Sequence, residues 1–204
     1  MRIQIILLSI FLMVGCISNN HDKPKEKVGN RTDTTKVVRD SVGFLDVCTV
    51  AQNVVKHLSV INTYPKKMLI GNKDECVLKM LDSLVEYATK TEDTKYLKTL
   101  ESLCKTSDGY VSEAFDEISL RLFQNNFYPF FRFIYDKKDT MDNCLRGGVI
   151  MGYSYKLLET NNKDEEYSEI DKFINQKIKK HKLNSEEKSF LILMRKQFNS
   201  ELVD

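Results

Sequence analysis

The chain has 204 residues, with 31 Lys and Arg against 29 Asp and Glu, a formal net charge of +2. A near-neutral balance with no long basic stripe leaves no nucleic-acid footprint to expect. Eight Gly and three Pro are too few turn formers for an all-β sandwich, and three scattered His without a Cys-pair pattern give no metal or cofactor motif.

The chain opens with Met1-Arg2-Ile3-Gln4, a mostly apolar run from Ile5 to Val14, then Gly15-Cys16. One positive residue, a short apolar core and a small residue make up the layout of a secretory signal. The run is too short to span a bilayer, which takes about 20 apolar residues. Leu12-Met13-Val14-Gly15-Cys16 resembles the lipobox of bacterial lipoproteins, with Met13 where the pattern prefers Leu. The resemblance implies cleavage before Cys16, acylation of its thiol by chains such as palmitate, and a new amino terminus on Cys16. Each buried CH₂ of an acyl chain contributes about 0.8 kcal/mol, so two or three chains hold a protein on a membrane permanently. The expected location is the cell envelope, with the outer membrane as the expected membrane.

Three segments follow from this reading: a signal peptide over 1–15, a lipidated Cys and tether over 16–39, and a folded domain over 40–204. The tether is polar and has no hydrophobic period. As a random coil it reaches about 25–30 Å.

From residue 40 the apolar spacing is helical. Phe44, Val47, Cys48, Ala51, Val54, Val55, Leu58 and Ile61 form one stripe, ended by Tyr64-Pro65. Asn72 with Glu75 resembles a capping box for a helix bearing Cys76, Val77, Met80, Leu81, Leu84, Val85 and Ala88. Thr91-Glu92-Asp93 is expected to open the next, with Tyr96, Leu97, Leu100, Leu103 and Cys104 inward. Asp108-Gly109 breaks the chain before a helix with Val111, Phe115, Ile118 and Leu122. Asn125-Asn126 stops it, and Pro129 suits the first turn of an aromatic helix. Asp139 is expected to begin a helix carrying Cys144, Gly148, Gly152 and Leu158. There the two glycines, four residues apart, suit close helix packing. After a polar connection over 161–166, Tyr167, Ile170, Phe173, Ile174 and Ile178 mark another helix. Asn184 and Glu187 cap the last.

The fold class is therefore all-α, with seven or eight short antiparallel helices in a solenoid-like stack of hairpins or an irregular bundle. With Cys16 assigned to lipid, Cys48, Cys76, Cys104 and Cys144 remain. They allow three pairings in an oxidising compartment, or act as buried apolar residues.

Little points to chemistry. No nucleophile elbow or Cys–His signature is present, and no catalytic residue is assigned. The acidic pairs Asp74-Glu75, Asp116-Glu117 and Glu165-Glu166 suit helix starts or exposed faces. The unusual local feature is the aromatic run from Phe123 to Tyr135. Its binding reading places Tyr128, Phe131, Tyr135 and Arg132 on a surface for a protein or peptide. Its structural reading makes it a central helix covered on several sides. The expected function is binding of another macromolecule in the envelope, with immunity-type protection as one form of it. An envelope hydrolase working through carboxylates is the alternative.

Overall fold

Short polar side chains set where half of the helices begin. In the computed structural model, which describes residues 45–71, 73–140, 143–199 and 201, four asparagines and an aspartate cap helix starts. Asn53, Asp93, Asn143, Asn162 and Asn184 each accept a backbone N–H two or three residues ahead through the side-chain oxygen. Each satisfies one of the donors a helix start leaves unpaired. At Asn184 the box is complete, with Glu187 accepting the Asn184 N–H in return.

Ten helices result among the described residues, and no strand. They are α1 (Val47–Gln52), α2 (Val54–Thr63), α3 (Pro65–Leu69), α4 (Asp74–Thr91), α5 (Thr94–Thr106), α6 (Gly109–Asn125), α7 (Phe127–Tyr135), α8 (Cys144–Glu159), α9 (Lys163–His181) and α10 (Ser185–Arg195). The all-α class stands. The first stripe is not one helix: Asn53 leaves helical backbone, and its side chain takes the Lys56 N–H at 3.0 Å, starting α2. Tyr64-Pro65 ends α2 and also starts α3, with Pro65 at its first position. Asp93 rather than Thr91 opens α5, because α4 runs on to Thr91 and closes through left-handed Glu92. Asn143 rather than Asp139 begins α8. Asp164, Glu165 and Glu166 belong to the first turn of α9 rather than to a connection, where acids suit the helix dipole. Asn72, the proposed cap of α4, lies outside the described residues.

The helices stack as hairpins. α4 packs on α5 and α6, α6 on α7 and α8, and α5 on α7. Helix-to-next-but-one contact of this kind gives two rows, α4–α6–α8 and α5–α7. The hairpin of α9 and α10 covers the free side of α7 through Phe127–Phe173 and Phe131–Phe190 ring contacts. Two disulfides tie the stack: Cys48–Cys76 joins α1 to α4, and Cys104–Cys144 joins α5 to α8. Closing loops of 28 and 40 residues contributes about 3.5–4 kcal/mol each on the chain-entropy account. Beside the second bridge, the buried Glu101 carboxylate accepts the Cys144 and Leu145 N–H groups at 3.1 and 3.0 Å. It caps α8 from another helix with charge-assisted bonds.

The tightest approach is between α6 and α8. A Cβ on Gly148 would lie 2.5 Å from Ser119 Oγ and 2.9 Å from the Phe115 carbonyl oxygen. One on Gly152 would lie 2.9 Å from the Asp116 carbonyl oxygen. Neighbouring Gly147 meets nothing. Gly148→Ala and Gly152→Ala are therefore expected to destabilise the fold by about 1–3 kcal/mol through overpacking. Gly147→Ala on the same helix should stabilise it by about 0.5–1 kcal/mol through helix propensity. Urea unfolding followed by circular dichroism checks this; equal behaviour of all three variants contradicts the packing account.

Candidate functional site

Of the two readings of the aromatic run, the covered central helix is the one seen, and the binding surface fails at Phe131 and Tyr135. Phe131 is wholly buried, and Tyr135 is 9 % exposed. Phe131 stacks between Phe127 and Tyr135. The Tyr135 hydroxyl donates to Glu186 at 3.0 Å, and Arg132 pairs with Glu187 and with Asp136. α7 is apolar nearly all round because α5, α6, α9 and α10 cover it. Of the four residues, Tyr128 and Arg132 reach solvent; Tyr128 lies flat on His181 with ring centroids 4.9 Å apart. Burial and the neighbouring Lys180 and Lys177 lower the His181 pKa. Cys16 and the tether lie outside the described residues.

The open face of the α4–α6–α8 row carries the more developed site. Two grooves run along the flanks of α6. One, of about 320 Å³, lies toward α4 and is lined by Leu78, Asp82, Tyr110, Glu113, Glu117 and Arg121. The other, of about 580 Å³, lies toward α8 and is lined by Glu113, Asp116, Glu117, Leu120, Gly152 and Tyr155, among others. Glu113 and Glu117 border both. The close α6–α8 approach shapes the second groove, since Gly152 leaves its wall without a side chain.

Charge is unbalanced on this face. Of the cations lining the two grooves, Arg121 pairs with Asp82 at 2.6 Å and Lys156 lies 3.9 Å from Glu166. Glu113, Asp116 and Glu117 form no ion pair with any described residue. Asp116 is half-buried, and desolvation followed by repulsion from Glu113 pushes its carboxyl up to about 6. A carboxyl so displaced in a groove marks a candidate site. Among the described residues no three of His, Cys, Asp and Glu gather to hold a metal ion, and no helix is long and apolar enough to cross a membrane.

In the sequence Asp116-Glu117 reads, like the other acidic pairs, as a helix start or an exposed face. The signal that marks the site is the i, i+3, i+4 spacing of Glu113, Asp116 and Glu117, which places all three on one side of a helix. That spacing says nothing of the grooves, whose other walls come from α4 and α8. Comparison of the chain with family models, with curated proteins and with solved structures gives no match.

Asp116 provides a pH test. Its folded value of about 6 exceeds the ordinary carboxyl value of 3.8, so the ionised form disfavours folding. The penalty is absent below pH 3.8, grows between 4 and 6, and is complete above 6. With half the side chain in solvent it amounts to about 1–2 kcal/mol. Asp116→Asn is expected to raise stability by that amount at pH 7 and by little at pH 4. A gain independent of pH in thermal melts at the two values sinks this assignment.

Proposed function

We propose that the chain is a lipoprotein held in the cell envelope by acylated Cys16, and that its helical domain binds another macromolecule there on the α4–α6–α8 face. The observation that carries the binding reading is the pair of grooves on either flank of α6, bordered by three carboxylates without cationic partners. Surface carboxylates brought together with no compensating charge cost stability, and a partner that supplies the charge recovers it. The lipobox-like Met13-Val14-Gly15-Cys16 supports the anchor, and two disulfides suit an oxidising compartment. Immunity-type protection is one form this binding takes, with the toxin as the macromolecule held. An envelope hydrolase is the second reading. It is favoured by Asp116, whose raised pKa is what a general acid needs, and its mark is dye release from labelled peptidoglycan that Asp116→Asn abolishes.

One experiment in cells tests anchor and face together. A photocrosslinking benzoylphenylalanine replaces Tyr110 or Tyr155, with Ser168 on α9 as the control position. Both site positions are expected to give a discrete adduct and Ser168 none. Cys16→Ala is expected to move the protein from membranes to the soluble envelope fraction. Adducts equally frequent at Ser168 contradict the face, and a Cys16→Ala variant that still sediments with membranes contradicts the anchor.

A further inference from the structure

The binding reading leaves open what kind of molecule the face takes, and the geometry of α6 narrows it. Glu113 and Glu117 border both grooves and stand on the ridge between them, while half-buried Asp116 lies within the α8 groove. From the first to the last they span about 6 Å along the helix. A divalent cation needs several oxygens converging on one point at 2–2.6 Å, and no such group exists among the described residues. A small anion is refused by the sign of the charge. What suits carboxylates set along a ridge is a ligand with cations set along its length.

We propose, as a refinement that rests on the α4–α6–α8 binding face, that the face holds a Lys- and Arg-bearing polypeptide segment laid across α6, with basic side chains entering both grooves. The two grooves share Glu113 and Glu117, so one segment crossing the ridge engages both. Their walls are also the right kind for long basic side chains. Tyr110, 58 % exposed, stands beside the α4 groove, and Tyr155 beside the α8 groove. Phenol rings accept ammonium and guanidinium groups on their faces. Leu78 and Ile118 in one groove and Leu120 in the other give apolar surface for the methylene stems. Each groove holds one cation of the protein's own, Arg121 paired with Asp82 in the α4 groove and Lys156, 3.9 Å from Glu166, in the α8 groove, and in each the carboxylates outnumber it. With a net charge of only +2 on the whole chain, the attraction is local to this face. A cation over Asp116 would also favour its ionised form, so binding releases a proton near pH 6.

The test uses the full lipidated chain in a neutral detergent, and a fluorescein-labelled peptide of about 15 residues made of Lys, Arg, Ala and Gly. Its counterpart has Glu in place of every basic residue. Anisotropy is read at 50 and 300 mM salt. The basic peptide is expected to bind, to weaken about tenfold at the higher salt, and to lose about tenfold in affinity in the Glu113→Gln/Glu117→Gln variant. The acidic peptide is expected not to bind. Asp164→Asn/Glu169→Gln, which removes the same charge from α9, should change nothing, so a loss of fold or of overall charge cannot imitate the effect. No binding at 50 mM salt, or equal loss in the two double variants, overturns the proposal. If the crosslinks at Tyr110 and Tyr155 form while the basic peptide fails, the face is a binding face for a partner of other chemistry. If both fail, the binding reading falls with it.

Discussion

Gly148 and Gly152 allow α8 to settle against α6 until backbone and side chain meet with no room for a methyl group. Much of the domain hangs on that approach. It joins α8 to the row begun by α4 and α6, and so makes one continuous face of three helices. It also forms the wall of the larger groove, where Gly152 sits opposite the turn carrying Asp116. The start of α8 is fixed separately, by the Glu101 carboxylate and the Cys104–Cys144 bridge from α5. One helix is thus clamped at its N-terminus to one row and along its length to the other.

The aromatic residues serve the opposite end of the same economy. Phe123, Phe127, Phe130 and Phe131 bury large apolar area where α6 and α7 meet the α9–α10 hairpin. The polar edges of α7 are satisfied by partners on α10, through Arg132 with Glu187 and Tyr135 with Glu186. The stack holds itself together on that side, and the grooved face lies on the other.

How much of this was readable beforehand depends on whether the information is local. α4, α5, α6, α9 and α10 show their inward faces as apolar residues every three or four positions, and Asn184 with Glu187 announces a helix start within four residues. The break at Asn53 is hidden because the apolar stripe continues through it nearly in phase; the backbone leaves the helix at that one residue, whose side chain then takes the Lys56 N–H. α3 has five residues, too few to show a period. The density of rings in α7 was plain, but which were covered was decided by helices some 40 to 60 residues away. The acidic ridge was visible as spacing, and the grooves were not, since α4 and α8 supply their far walls. The reading of Cys16 concerns residues outside those described, and it stands on the motif alone.

The pairing of the cysteines has a consequence for how the domain comes into being. Cys48 bonds to Cys76 and Cys104 to Cys144, so the two loops follow one another without overlap. A chain that emerges N-terminus first therefore presents each half-cystine with its proper mate before any later thiol has appeared. If Cys16, the one thiol that comes earlier, carries the proposed lipid, oxidation in order of arrival produces the native pattern, with nothing to reshuffle. The first bridge can close around α1–α4 while the segment bearing the second is still being delivered, so the covalent framework is laid down in the same direction in which the hairpins stack.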